Sequence, residues 1–174
     1  MPSHEYPQHV VVMGVSGVGK TTVATALASR VGYEFAEADD FHPQSNIDKM
    51  SAGVPLNDED RAPWLRALAD WMRQRYDEGR STVLACSALR RRYRDILREG
   101  APDAFFVHLV GDQALLLARM DHRNHFMPSA LLQSQFDTLE PLEDDENGVV
   151  LDVAEPPKSL VDRAVEAVEG ARKG

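Results

Sequence analysis

Short apolar runs alternate along this chain with segments whose apolar residues recur at helical spacing. His9–Met13 is almost purely apolar, which is typical of a strand covered on both faces. The expected strands are His9–Met13, Glu34–Ala38, Thr82–Cys86, Phe105–Val110 and Val149–Val153. Because helical periodicity follows each of them, the pattern predicts a single α/β domain whose parallel sheet is covered by helices on both faces.

Amphipathic segments mark the expected helices. Lys20–Val31 is one of them, and Pro63–Asp77 is the strongest, with Pro63 suited to the first turn of a helix. Ser87 can cap the helix after the third strand, and a last helix follows the prolines at 156 and 157. Two more helix starts are expected at Asp112 and Pro128.

Three polar segments interrupt this alternation, at 39–61, 119–128 and 140–148. In open α/β sheets, ligands bind at the carboxyl ends of the strands. The first two segments follow a strand, or the helix after one, so we expect both to border a ligand cleft. The third is rich in acidic residues and is interpreted as a solvated turn.

Composition narrows the class of protein. The chain has 174 residues, of which 43% are hydrophobic and 27% charged, which suits one globular domain. A formal net charge of −9 argues against a general nucleic-acid binder, although a local cluster of positive groups can still bind a small anion. No apolar run approaches the ~20 residues that cross a bilayer. A single cysteine, Cys86, indicates a reducing compartment, so we expect a cytoplasmic protein. From the net charge and the lack of a long apolar run we expect neither nucleic-acid nor membrane partners.

A complete phosphate-binding motif, G-x-x-x-x-G-K-[ST], lies between the first strand and the first helix. Its residues are Gly14, Val15, Ser16, Gly17, Val18, Gly19, Lys20 and Thr21. The glycines let successive main-chain N–H groups point inward, and the helix N-terminus adds positive potential. Lys20 can reach the β- and γ-phosphates, and the Thr21 hydroxyl can bind Mg²⁺. The motif predicts binding of a nucleoside triphosphate with Mg²⁺ but does not identify the phosphate acceptor.

Carboxylates at the end of the second strand are candidates for acceptor chemistry. A small-molecule kinase needs a group that takes the proton of the attacking hydroxyl, and Asp39 is the candidate for this base. Glu37 lies two residues earlier, on the same face of an extended strand, and can hold Mg²⁺ through water. Asp40 is a weaker candidate, and these acids can instead cap the turn that follows.

Basic and polar residues that follow the second and third strands can bind an acidic substrate. Lys49 and Arg61 can neutralise a carboxylate, Arg61 in a bidentate manner, and His42 is a third candidate. Ser87 follows the third strand and can contact phosphate or acceptor. Which of the three basic residues holds the carboxylate stays open, and each can also be an ordinary surface residue.

Arg119 and Arg123 lie four residues apart and share a helix face if the helix continues. An arginine that approaches the transferring phosphoryl group can offset its charge, and we assign Arg123 to this catalytic role and Arg119 to ATP binding. The alternative is a solvated helix end.

Two further residues near strand ends are expected to have structural roles. Cys86 is expected to be a buried small side chain, and Asp152 to be structural.

Several segments besides the phosphate motif resemble the gluconate kinases (gluconokinases), P-loop small-molecule kinases related to shikimate kinase. They are Ala38–Pro43, Asn46–Met50, Gly53–Leu65, Cys86–Leu89, Tyr93–Arg98, His125–Met127 and Gln135–Glu140. The block Asn57-Asp58-Glu59-Asp60-Arg61-Ala62-Pro63-Trp64-Leu65 is far more specific than the phosphate motif alone. The similarity runs from about Val10 to Val153, and the tail after Pro156 carries none of it.

The resemblance implies that ATP, with Mg²⁺, phosphorylates the 6-hydroxyl of D-gluconate. It also implies a three-layer fold with strand order 2-3-1-4-5, an acceptor-binding insertion at about 39–63 and a helical lid at about 119–135. In that family's pattern Asp39 is the base, Arg61 meets the acceptor carboxylate, and Arg119 and Arg123 lie over the nucleotide. Many relatives have aspartate where this chain has Glu37. Some members form homodimers.

Two alternatives remain at this stage. A kinase of another sugar acid or a small polyol would use the same parts with a different acceptor clasp. A nucleotide-dependent switch would also need the phosphate motif, but the chain has no Asn-Lys-x-Asp guanine-reading tetrapeptide.

Overall fold

Five parallel strands form one sheet at the centre of the computed structural model, which describes residues 6–122 and 129–173. The strands are β1 (His9–Met13), β2 (Glu34–Glu37), β3 (Thr82–Ala85), β4 (Phe105–Val110) and β5 (Gly148–Asp152). Their order is β2-β3-β1-β4-β5, and every neighbouring pair is parallel. The predicted fold class and the strand order implied by the resemblance are both confirmed.

Helices connect the strands on both sides of the sheet. In the described residues they are α1 (Lys20–Val31), α2 (Gln44–Ser51), α3 (Asp58–Asp77), α4 (Arg91–Gly100), α5 (Gln113–His122), α6 (Ser129–Thr138) and α7 (Pro157–Lys173). A 3₁₀ turn, Ala38–Phe41, joins β2 to α2. Across the described part of the chain, none of the helices has the length and apolar character that spanning a membrane requires.

Alternate side chains of the three central strands, β3, β1 and β4, enter two separate apolar cores. Val10 and Val12 of β1 pack in the cluster that contains Leu27 of α1 and residues of α7. Val11 and Met13 face the other way, into the cluster built by α3 and α4. Because successive side chains of a strand point to opposite faces, a strand without polar residues needs helices on both sides. This explains why β1 is buried throughout.

Helix α3 begins at Asp58, so the prediction that Pro63 lies in its first turn is wrong. The Asn57 side chain accepts a hydrogen bond of 2.8 Å from the Asp60 N–H, and the Asp60 carboxylate accepts one of 3.0 Å from the Asn57 N–H. This reciprocal capping box fixes the start of the helix before the proline is reached. Pro63 therefore lies inside the helix, where its missing N–H removes one main-chain hydrogen bond.

The helix after β3 begins later than Ser87. Arg90 is the N-cap residue of α4 and makes no side-chain capping bond. The capping acceptor comes instead from a distant residue, because the Arg91 N–H donates to Glu140 Oε1 at 2.9 Å. The prediction that Ser87 caps this helix is wrong. The prediction that a helix starts at Asp112 is confirmed, since the Asp112 carboxylate accepts a hydrogen bond of 2.8 Å from the Leu115 N–H. Pro128 lies outside the described residues.

The acid-rich segment 140–148 is only partly solvated, which corrects the interpretation as a solvated turn. The Glu146 side chain is fully buried and accepts hydrogen bonds of 2.7 and 3.1 Å from the equally buried guanidinium of Arg94. Arg98 and Arg91 approach the same carboxylate at 3.2 and 3.4 Å. Arg94 also donates to the Ala88 carbonyl at 2.8 Å. The segment is therefore docked on α4, and the docking holds the loop after β3.

Two buried histidines should make the stability of the fold fall in mild acid. Burial lowers the pKa of His9 and of His108 from 6.5 to about 4, with the charge of Arg94 adding to the effect at His108. Between pH 6.5, the pKa in the unfolded chain, and about pH 4, the pKa in the folded protein, the unfolded chain binds protons that the folded protein excludes. Unfolding therefore becomes easier as the pH falls through this range.

We expect each histidine to cost about 2 kcal/mol between about pH 7 and pH 5, measured by urea unfolding. The variant His108→Leu should lose the part of this pH dependence that His108 contributes, while the contributions of His9 and of His42, whose pKa burial also lowers, should remain. The carboxylates of Asp58, Asp60 and Asp145 also have lowered pKa values, but they titrate below this range. An equally steep loss of stability in the variant would contradict the assignment.

Candidate active site

The phosphate motif forms the loop between β1 and α1, as predicted. Gly14 has a φ of 149°, and a Cβ there would lie 2.6 Å from the Leu109 carbonyl oxygen. Gly19, the N-cap of α1, has a φ of 95°. Side-chain-bearing residues rarely adopt these φ values, so both glycines are needed for the loop's path. That path leads the chain directly into the N-terminus of α1, where main-chain amides favour phosphate oxygens.

Lys20 places a desolvated positive charge on this loop. Its ammonium donates to the carbonyl oxygens of Gly14 and Val15 at 3.0 and 3.2 Å. Burial lowers the pKa of Lys20, while the charges of Asp39 and Glu37 act in the opposite direction. The two carboxylates are thus close enough to the ammonium to be coupled to it. The predicted cradle and the predicted acids after β2 form one site.

Thr21 and Glu37 meet at the mouth of the loop. The Thr21 hydroxyl donates to Glu37 Oε2 at 2.6 Å, so the end of β2 contacts the start of α1. Both groups offer oxygen atoms, which are the donors that Mg²⁺ prefers, and Mg²⁺ at phosphate sites commonly takes only one or two protein ligands. Within the described residues, no three acidic, histidine or cysteine side chains cluster as a metal site. The pair fits a Mg²⁺ ion that is completed by phosphate and water oxygens.

Asp39 lies in the 3₁₀ turn after β2, and its side chain is 79% exposed. Its Oδ1 atom is 3.8 Å from Nε2 of His42. The carboxylate is therefore open to a ligand at the carboxyl end of the sheet while its charge is felt at Lys20. This is a suitable position for a group that contacts both an acceptor hydroxyl and the phosphate site.

His42 is held inside the protein rather than directed outward. Its ring stacks on Trp64 with centroids 4.2 Å apart, and only 4% of its side chain is exposed. Asn46 Nδ2 lies 3.2 Å from His42 Nδ1 and also donates to the Asp60 carbonyl at 2.9 Å. Since the amide nitrogen is a donor, Nδ1 accepts and Nε2 carries the proton. Burial lowers the pKa of His42, so the ring is neutral near neutral pH.

The two longer basic candidates differ in how their charges are used. Lys49 contacts both carboxylate oxygens of Asp60, at 3.0 and 2.8 Å, so its charge is already paired. Arg61 donates to the hydroxyl of Tyr93 at 3.2 Å, and its guanidinium carbon lies 5.5 Å from the centre of that ring. The Tyr93 hydroxyl in turn donates to Asp58 at 2.6 Å. Arg61 is thus oriented by an aromatic ring, and its contact with the Asp58 carboxylate, at 3.8 Å, is longer than a hydrogen bond.

Tyr93 contacts the candidate residue Arg61, and sequence reasoning missed this contact. Tyr93 occupies the buried face of α4, where the spacing of apolar residues predicts only packing. The signal that points to its role is the hydroxyl: a buried tyrosine O–H needs a partner, and the acidic and basic residues at the start of α3 supply partners. Tyr93 is 6% exposed, and both burial and the hydrogen bond to Asp58 raise its pKa.

The loop after β3 contacts the cradle through its main chain. The Gly14 N–H donates to the Ser87 carbonyl at 3.3 Å, which joins the first residue of the cradle to this loop. Cys86 is buried, as predicted, and burial raises the pKa of its thiol to about 12. The thiol is therefore neutral and unreactive near neutral pH. A contact of the Ser87 side chain with phosphate or acceptor stays a prediction.

The arginines of the expected lid are only partly described. Arg119 belongs to α5, and its guanidinium donates to the Val153 carbonyl at 2.9 Å, just after β5. Arg123 lies outside the described residues. Asp152 accepts the Ala154 N–H at 2.8 Å, which is a structural role, as expected. The roles of Arg119 over the nucleotide and of Arg123 in catalysis stay predictions.

Gln135 is a second residue that sequence reasoning passed over. Its side-chain oxygen accepts a hydrogen bond of 2.6 Å from the main-chain N–H of Ser16, the third residue of the cradle. Helix α6 therefore touches the phosphate-binding loop directly.

Comparisons with known proteins agree with this site. An AAA-domain family model matches residues 10–142. A gluconokinase of Gluconobacter oxydans is 52% identical over 141 residues, which cover 80% of this chain and 79% of that protein. The chain belongs to the gluconokinase family. The thermosensitive gluconokinase of Escherichia coli is 44% identical and is covered over 88% of its length.

A solved gluconokinase structure agrees with the fold. The protein from Sinorhizobium meliloti is 45% identical, and it superposes with a TM-score of 0.87 over 98% of this chain and 96% of its own. Membership of the gluconokinase family confirms the predicted enzyme class, a kinase that uses ATP and acts on a small molecule.

Proposed function

We propose that this protein transfers the γ-phosphoryl group of ATP to the 6-hydroxyl of D-gluconate, which yields 6-phospho-D-gluconate and ADP. The observation that carries the proposal is the hydrogen bond of 2.6 Å from the Thr21 hydroxyl to Glu37, which joins the Lys20 end of the cradle to the carboxylates after β2. It brings a phosphate-binding charge and a candidate base to the same end of the sheet. The relatives named gluconokinase support gluconate as the acceptor.

In the proposed reaction, the acceptor oxygen attacks the γ-phosphorus in line with the bond to the β-phosphate oxygen. Asp39 takes the proton of the hydroxyl as the new O–P bond forms and the bond to ADP breaks. Lys20 and the main-chain amides of the cradle balance the negative charge that spreads over the phosphoryl oxygens. Thr21 and Glu37, the latter through water, would hold Mg²⁺, which would further neutralise the phosphate charge.

Arg61 is the proposed partner of the gluconate carboxylate. Of the three basic candidates, His42 is neutral and Lys49 is paired with Asp60, whereas the nearest carboxylate to Arg61, Asp58, is 3.8 Å away. A guanidinium can bind a carboxylate through two parallel hydrogen bonds, which also fixes the orientation of the sugar acid. Tyr93 would act as a positioning residue by holding Arg61 in this direction.

Removing the Tyr93 hydroxyl tests this arrangement. We expect Tyr93→Phe to raise the KM for gluconate about tenfold and to leave the KM for ATP unchanged, because a hydrogen bond to a charged group is lost while the ring remains. Steady-state kinetics with each substrate varied in turn measure the effect. Tyr76→Phe, on the partly exposed surface of α3, is the matched control. An unchanged KM for gluconate in Tyr93→Phe would remove Tyr93 and Arg61 from the acceptor site.

A coupled assay of ADP formation over a panel of acceptors tests the acceptor identity. We expect the highest kcat/KM with D-gluconate, and much lower values with its epimers, shikimate and simple polyols. A clear preference for another acid on the panel would favour the alternative of a different sugar-acid kinase. ATP turnover that no acceptor changes would favour a nucleotide-dependent switch instead.

We also infer a cytoplasmic location and no nucleic-acid partner, which the single buried cysteine and the net charge of −9 support. A homodimer, which the resemblance implies for some members, stays a prediction that light scattering tests.

A further inference from the structure

Gln135 lies within the apolar face of α6. Leu132 is fully buried, and Phe136 and Leu139 pack against the core on the α1 side of the sheet. Residues spaced by three, four and seven positions share one face of a helix, and Gln135 occupies the remaining position of this set. A carboxamide that faces the protein must have hydrogen-bond partners, because leaving it unpaired is unfavourable. Its partner therefore identifies what this position does.

That partner is the phosphate cradle itself. Gln135 Oε1 accepts the Ser16 N–H at 2.6 Å. A cradle of this kind works by directing main-chain N–H groups toward phosphate oxygens. The Gln135 side-chain oxygen is a hydrogen-bond acceptor, as a phosphate oxygen is, and it occupies the N–H of Ser16. One N–H cannot donate well to two acceptors at once. A phosphate oxygen that accepted the Ser16 N–H would therefore have to displace the Gln135 oxygen.

The position of Gln135 is fixed by the anchoring of α6. At the end of this helix the Glu140 N–H donates to the Leu89 carbonyl at 2.7 Å, and the Glu140 carboxylate accepts the Arg91 N–H at 2.9 Å. The loop that carries Leu89 also holds the cradle, through the bond between the Ser87 carbonyl and the Gly14 N–H. Each of the three segments, α6, the loop after β3 and the cradle, thus contacts the other two, and the bond between Gln135 and Ser16 is the contact between α6 and the cradle.

We propose that Gln135 is a positioning residue of the phosphate cradle, whose side-chain oxygen holds the Ser16 amide in place until a phosphate oxygen replaces it. The proposal rests on the nucleotide-binding half of the proposed function and not on the identity of the acceptor. In this exchange the nucleotide breaks one internal hydrogen bond when it binds. The protein therefore binds nucleotide less tightly than the same cradle would without Gln135.

Replacing Gln135 with leucine tests the exchange, since leucine keeps the size of the side chain and suits the apolar face. We expect Gln135→Leu to bind ATP and ADP about threefold to tenfold more tightly by calorimetry, which corresponds to one neutral hydrogen bond. Thermal unfolding should begin earlier than in the parent without nucleotide and should match the parent at saturating ATP. Gln133→Leu, on the exposed side of the same helix, is the control and should change neither quantity.

Amide hydrogen exchange at Ser16 gives an independent readout. Without nucleotide, the Ser16 N–H should exchange several-fold faster in Gln135→Leu than in the parent or in Gln133→Leu. If the leucine variant does not fold, Gln135→Glu replaces it. Its carboxylate still accepts the Ser16 N–H and repels phosphate, so exchange at Ser16 should stay slow while nucleotide binding weakens. Weaker nucleotide binding in Gln135→Leu, or Ser16 exchange equal to the control, would overturn the proposal.

Discussion

Replacing Lys20 with methionine is expected to lower kcat for phosphoryl transfer by about 10²–10³-fold or more, equivalent to about 3 kcal/mol or more of transition-state stabilisation. Methionine keeps an unbranched side chain of similar length, so the change removes the charge and its hydrogen bonds while preserving most of the packing. The Lys20 ammonium is held against the Gly14 and Val15 carbonyl oxygens and is partly desolvated. A charge in such a site acts on phosphate oxygens with little screening by water.

The measurement is kcat at saturating ATP and gluconate, with ATP affinity determined separately by calorimetry. Lys158→Met is the matched control, because Lys158 is exposed on α7, on a helix that contributes no residue to the proposed site. Circular dichroism should show the same fold for both variants. Turnover by Lys20→Met within a few-fold of the parent would contradict the assignment of the cradle lysine.

Asp39→Asn is expected to retain ATP binding and to lower kcat by about 10²–10⁴-fold, the range that a positioned general base contributes. Asparagine has the shape of the aspartate side chain but cannot take the proton of the attacking hydroxyl. Asp40→Asn is a stringent control, since Asp40 is the exposed neighbour in the same 3₁₀ turn. The two variants change the net charge equally, so a difference between them reflects the position of the carboxylate.

Single-turnover mixing of enzyme, ATP and gluconate isolates the chemical step in these variants. We expect the rate constant of the single turnover to fall by about 10²–10⁴-fold in Asp39→Asn and to stay near that of the parent in Asp40→Asn. A kcat of Asp39→Asn within a few-fold of the parent would mean that Asp39 is not the base. A large loss confined to Asp40→Asn would transfer the role to that residue.

The cradle could be predicted from the sequence because its chemistry is local. The glycine spacing, Lys20 and Thr21 follow one another along the chain, and the structure keeps them in one loop between β1 and α1. The strand order needed the resemblance, since an alternating pattern predicts a parallel sheet but not the sequence of its neighbours. The start of α3 was misplaced because Pro63 marked the expected first turn, whereas the reciprocal capping of Asn57 and Asp60 starts the helix at Asp58.

Contacts between distant segments account for the remaining differences. Four acids in succession suggest a solvated turn, and only the approach of α4 makes Glu146 the partner of a buried arginine. Tyr93 and Gln135 each occupy an apolar helix face, where periodicity predicts packing and does not register the polar end of the side chain. Such residues are found by asking where a partly buried hydroxyl or amide finds its hydrogen bonds.

Determination of the product tests the central claim most directly. The enzyme is incubated with ATP, Mg²⁺ and uniformly ¹³C-labelled D-gluconate, and the product is examined by ¹H–³¹P correlation and ¹³C spectra. We expect stoichiometric formation of a phosphate monoester whose phosphorus couples to the C6 methylene protons. A phosphate on any other carbon, or ADP released with inorganic phosphate and unchanged gluconate, would contradict the proposed reaction.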